Sequence, residues 1–119
     1  IYVQYAQVRA SKLIRTLNVN EQSLDDTPFI LNSLDRKLII ALANIEFYLE
    51  LSVKNSEPHH LANYLFEISN SFNAFYQNTN IRNIKNNTEK SQKILITKIF
   101  IKYSHLVMSF LGIKPVTKM

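Results

Sequence analysis

The sequence predicts an all-α domain, a compact bundle of four main helices. Apolar residues recur every three or four positions along four long segments, the spacing of a buried helical stripe. One glycine and three prolines in 119 residues argue against a turn-rich β fold. Polar stretches separate the segments, and residues such as asparagine favour caps and turns over helix interiors.

The first helix is expected over residues 1–17. Val3, Ala6, Ala10, Leu13 and Leu17 form its apolar stripe, and Tyr2, Tyr5, Arg9, Lys12 and Thr16 form a second stripe about a quarter-turn away. Thr27-Pro28-Phe29 marks a loop, because the residue before proline avoids helical geometry. The second helix is expected from Asn32 or Ser33, either a good N-cap, with Asp35 favourable in the first turn. It runs towards Val53. Its nearly continuous apolar run from Ile39 to Ile45 predicts deep burial, and a break is expected near Glu46-Phe47.

Pro58 suits a first helical position and opens the third helix, which reaches about Tyr76 with Leu61, Leu65, Ile68, Phe72 and Phe75 facing the core. Asn78, Asn80, Asn83, Asn86 and Asn87 follow, and this density predicts a mobile surface connection. The last helix covers about 88–111 and stops at Gly112, with Pro115 beyond. Ile96, Phe100, Tyr103, Val107 and Leu111 line one side; Lys98, Lys102, His105 and Ser109 line the other.

The length suits one domain, residues 1–119. The absence of cysteine excludes disulfides and thiolate metal sites. No uninterrupted apolar run approaches the ~18 residues of a membrane span, and the amino terminus lacks the layout of a signal peptide. The chain begins inside an amphipathic pattern without an initiator methionine, so an excised piece of a longer protein is expected. Its net charge of +5 is unevenly spread. Residues 1–20 carry Arg9, Lys12 and Arg15 and no acid; residues 21–78 carry eight acids against Arg36, Lys37 and Lys54; residues 79–119 carry eight cations against Glu89. Packing the first helix beside the last would merge their cations into one patch attractive to a polyanion.

Catalytic constellations are lacking. His59 and His60 are adjacent on a helix, so their side chains point about 100° apart and do not chelate from one face. His105 is expected to be solvated, or to lie near a phosphate. The carboxylates are scattered, and one glycine does not make a phosphate-cradling loop. A binding function remains. The tyrosines and cations of the first helix suit unstacked bases and their phosphates. The plainer reading is that the rings cap the core edge and the cations are solvated.

Four stretches carry a family resemblance. They are Tyr2-Val3-Gln4-Tyr5-Ala6-Gln7-Val8-Arg9; Pro58-His59-His60-Leu61-Ala62-Asn63-Tyr64-Leu65; Phe72-Asn73-Ala74-Phe75-Tyr76; and Leu111-Gly112-Ile113, with Met119 seven residues after the glycine. In order and spacing they resemble the all-helical DALR anticodon-binding domain of arginyl-tRNA synthetases, over essentially the whole chain. The resemblance implies the C-terminal domain of a cytoplasmic, monomeric class I synthetase. ATP and Mg would then act in an upstream catalytic domain, with no cofactor or metal in this one. The partners implied are that upstream domain and the anticodon loop of arginine tRNAs, with no membrane.

Tyr5 and Arg9 look like the family's anticodon-facing tyrosine and arginine, Arg15 like a second basic position, and Tyr76 and Met119 like residues packing around splayed bases. With Tyr2, Lys12, Lys98 and Lys102, the last two steering the anticodon stem, they form the expected RNA-binding set. Lys93 replaces a usual arginine, Gln7 a usual histidine and Tyr48 a usual proline; Thr117-Lys118-Met119 replaces Glu-Arg-Met. The alternatives are a DALR-like domain of another synthetase or a tRNA-modification partner, and a helical protein-interaction adaptor.

Overall fold

The computed structural model describes residues 2–17, 31–55, 59–85 and 87–113. Within them lie α1 (Tyr2–Leu17), α2 (Ser33–Ala43), α3 (Ile45–Asn55), α4 (His59–Asn78) and α5 (Asn87–Leu111). A 3-10 turn at Ile81–Asn83 joins the last two. No strand occurs among the described residues. The expected four-helix bundle is present, with α2 and α3 as the two halves of its broken second helix.

Asn32 is the N-cap of α2. Its side-chain oxygen accepts the Asp35 N–H at 2.8 Å, and Asp35 Oδ2 accepts the Asn32 N–H at 3.1 Å, closing a reciprocal capping box. The break falls at Asn44, ahead of the expected Glu46-Phe47. Asn44 sits at φ −78°, ψ 5°, its N–H turned back to the Ala41 and Leu42 carbonyls. Its own carbonyl accepts the Tyr48 N–H at 3.2 Å, so the next helix restarts at once. Asparagine favours such caps because its backbone tolerates departure from the helix. The run from Ile39 to Ile45 is not deeply buried throughout. Leu38 and Leu42 are in the core, but Ile40 is 64% exposed, since a helix at the edge of the bundle buries one face only.

α4 is the central helix and packs against each of the others. Phe72 stacks face to face on Phe100 of α5, ring centres 4.4 Å apart. The Tyr64 hydroxyl donates to the Leu42 carbonyl at 2.9 Å inside the core, tying the last turn of α2 to α4. The asparagine-rich connection is anchored and not merely a loose surface loop. Ile81 in its 3-10 turn is buried, so one apolar side chain pins the polar stretch to the core.

α5 ends as expected. Gly112 takes φ +71°, and Gly112 N–H and Ile113 N–H return to the carbonyls of Ser109 and Met108 at 3.2 and 2.9 Å. This is the paired closure that left-handed glycine allows. By length and average composition Thr88–Leu111 could cross a bilayer. Lys98 and Lys102 interrupt its apolar run, and Ile94, Ile96, Phe100 and Val107 pack it into the core of the bundle.

Candidate nucleic-acid interface

The faces of α1 are fixed by what each side touches. Ala6, Ala10 and Leu13 are buried in the core. On one flank Arg9 Nη1 donates to Asn73 Oδ1 on α4 at 2.9 Å, and its guanidinium lies over the Tyr76 ring, 5.2 Å from the centre. On the other flank Gln7 Nε2 donates to Met108 Sδ of α5 at 2.8 Å. Gln7 and Arg9 are two residues apart, hence roughly 200° around the helix. The tyrosine stripe therefore leans on α4, while α5 meets the opposite edge.

This changes the expected patch. The first and last helices do lie side by side, but their cations do not line one groove. Around α5 the order is Phe100 against α4, Met108 against α1, and then Lys98 and Lys102, roughly 80° and 120° beyond Met108. These lysines lie past α1, away from Tyr76. What joins the two sides is α1 itself. Arg9 stands at its α4 edge, and Lys12 and Arg15 follow across the exposed face of the helix at steps of roughly 60°. The result is a band of positive charge wrapped over α1.

Tyr5 is 49% exposed, on the Arg9 side of the crest. Tyr76 is half-buried, its inner edge against Phe72 with ring centres 6.2 Å apart. Beside it opens a cavity of about 190 Å³ lined by Leu13, Tyr76, Gln77, Thr79, Asn80 and Ile81. Thr79 Oγ1 is buried there without a hydrogen-bond partner in the structure. The space and its polar rim can take one flat heterocycle. Lys102 is exposed and Lys98 half-buried. The side chain of Tyr2 and all of Met119 lie outside the described residues. His105 is not simply solvated: its Nε2 is buried without a partner, and burial pushes its pKa down, favouring the neutral ring. A neutral imidazole is a poor phosphate ligand. On another side of α4, a larger cavity of about 700 Å³ runs between it and α2–α3, with Ile40, Tyr48, Phe66 and Glu67 among its lining.

Residues 3–119 match the model of the DALR anticodon binding domain. The chain belongs to the DALR anticodon-binding domain family. It is 32% identical to the arginine–tRNA ligase of Buchnera aphidicola subsp. Cinara cedri over 118 residues, covering 99% of this chain and 21% of that protein. The arginine–tRNA ligase of Pasteurella multocida is 32% identical over 119 residues, with the same coverage. The solved structure of arginyl-tRNA synthetase from Plasmodium falciparum superposes with a TM-score of 0.78 at 26% identity, over 99% of this chain and 21% of that one. This DALR domain thus spans about a fifth of the length of the relatives it matches.

Sequence reasoning did not single out Asn73 as part of the site. It is a buried polar residue in the row of Phe72 and Phe75, and it takes the Arg9 guanidinium edge. A polar residue beside a core stripe was the available signal. Two departures from the usual family residues also resolve into structure. Gln7 sits between α1 and α5, 1% exposed, and does not face solvent. Lys93 is buried against Asp35 at the N-cap of α2.

Proposed function

We propose that this domain binds the anticodon loop of tRNA as the C-terminal part of an arginine–tRNA ligase. The observation that carries the reading is Tyr76: a half-buried ring, braced by Phe72 and Arg9, forming the wall of a base-sized polar cavity beside a cationic band. A base splayed from a loop stacks on such a ring, at about 1–3 kcal/mol per base. Gln77, Thr79 and Asn80 supply donors and acceptors for its edge. Tyr5 offers a second stacking surface, Lys12 and Arg15 meet phosphate, and Lys98 and Lys102 steer the stem without reading sequence. Met119 and the side chain of Tyr2 belong to the set by sequence and family resemblance, outside the described residues.

Joining arginine to tRNA belongs to the longer polypeptide, a cytoplasmic monomer in this reading, where ATP and Mg would act in a separate catalytic domain. Among the described residues no three histidine or carboxylate side chains gather as metal ligands. The names of the relatives, all arginine–tRNA ligases, support the amino acid specified.

The test is a titration of the chain with an arginine tRNA and with the same tRNA carrying a foreign anticodon, at several salt concentrations. Steeply salt-dependent binding that weakens with the foreign anticodon is expected. Equal affinity for both, or binding indifferent to salt, overturns the reading. The second outcome favours a protein-interaction module, for which the exposed Ile40, Phe47 and Phe66 would be the contact face.

A further inference from the structure

Arg9 makes two contacts, and both point inward. One edge donates to Asn73, and the guanidinium face covers Tyr76. It is half-buried, and among the described residues no carboxylate pairs with it. Its position along α1 would suit a phosphate ligand, but a phosphate ligand gains from reach and mobility. This side chain is held by a neutral amide whose own residue is only 7% exposed. Asn73 is just over half a turn from the fully buried Phe75 and next to the fully buried Phe72, so its amide has little freedom to follow Arg9 outward.

The cavity wall gives the second half of the argument. Tyr76 lines the cavity beside it, whereas neither Arg9 nor Asn73 does. Arg9 thus touches the ring without touching the space where a base would sit. With Phe72 on its inner edge and the guanidinium over one face, the ring is confined to one orientation. A ring already in place loses less freedom when a base stacks on it.

We propose that Arg9 acts on RNA chiefly through Tyr76, as a positioning residue clamped by Asn73, and not as a phosphate ligand of its own. The proposal rests on the anticodon reading above and specifies the mechanics of that site. It separates two properties of arginine: its charge, which lysine shares, and its planar, multiply donating head, which lysine lacks. A phosphate role tolerates Arg9→Lys. A clamp does not, because an ammonium cannot lie flat on the ring while its edge serves Asn73.

The experiment measures binding of the 119-residue chain to an arginine-tRNA anticodon stem-loop carrying 2-aminopurine in the loop. Affinity, salt slope and the stacking quench of that base are read together. Arg9→Ala and Arg9→Lys are both expected to weaken binding about tenfold, the scale of one lost stacking contact. Both should reduce the quench and leave the salt slope within error of the parent. Asn73→Ala should reproduce part of the loss and add little to Arg9→Ala, since both act by one route. Asn73→Asp keeps the acceptor and should restore quench and affinity. Circular dichroism melts at the assay temperature confirm that each variant is folded. Parent-like binding by Arg9→Lys, with Arg9→Ala lowering the salt slope by about one, would overturn the clamp and leave the anticodon reading standing. A parent chain that does not distinguish the stem-loop from an unrelated RNA hairpin would bring down both.

Discussion

The ammonium of Lys93 on α5 is bonded to Asp35 Oδ2, the same carboxylate oxygen that closes the capping box of α2. Both side chains are almost wholly buried. One oxygen thus finishes the backbone of one helix and holds another against it. Ile39 and Leu42 share a crevice with Ile96, Ile99 and Tyr103 further along, so α2 and α5 run in the same direction from this joint.

Breaking that joint from either side should be costly. Lys93→Met leaves a buried carboxylate beside an apolar chain, and Asp35→Ala removes both the counter-charge and a capping acceptor. Each is expected to lose about 3–5 kcal/mol in urea unfolding. The double variant Lys93→Met, Asp35→Asn keeps a capping acceptor and removes both charges, and should recover most of the loss. A single variant that unfolds like the parent would show that the pair does not hold α2 to α5.

Gln7 should be improvable. Its Nε2 is spent on Met108 Sδ, while Oε1 is buried without a hydrogen-bond partner in the structure. Gln7→Met fills similar volume and removes the unmet acceptor. A gain of about 1 kcal/mol in urea unfolding is expected. A loss of that size would mean that a water or an alternative rotamer satisfies the oxygen.

Tyr64 ties stability to alkaline pH. Burial raises its pKa above the ordinary tyrosine value, with the nearby Tyr103 adding to the shift. The unfolded chain can therefore ionise this phenol first. Its contribution is intact below about pH 10 and is lost as pH rises beyond that value. Tyr64→Phe should cost about 1 kcal/mol at neutral pH through the lost bond to Leu42 and should flatten the alkaline fall in thermal midpoint. An alkaline limb identical in parent and variant would refute the assignment.

Lys102 is exposed on the far side of α1 from Tyr76. Lys102→Ala is expected to lower the slope of log affinity against log salt by about 0.7–0.9 and to leave the preference for the native anticodon unchanged. Altered anticodon preference would place this lysine at a base edge instead of the backbone.

The helix pattern was legible because the core stripes of α1, α4 and α5 follow one simple period. The N-cap at Asn32 and the stop at Gly112 were equally plain, each resting on a local preference that packing did not override. What was hidden depended on packing partners. The sequence could place Tyr5, Arg9 and Lys12 on one stripe but not say which neighbour the stripe leans on. Arg9 reads as a free cation until Asn73, 64 residues away, takes its edge. Lys93 stands in the sequence only as a lysine where arginine is usual, until Asp35, 58 residues away, meets it in the core. Burial of Ile81 inside an asparagine-rich stretch is of the same kind: composition marked the loop, and one side chain tethered it.

Because α1 rises between the ring on α4 and the lysines of α5, it acts as a saddle. Anything that engages both sides has to straddle the breadth of a helix, roughly 10 Å. A hairpin turn is wide enough to sit astride it, whereas an extended single strand lying along either flank meets the rings or the far lysines, not both. Shape alone would then sort folded loops from unstructured RNA before any base is read.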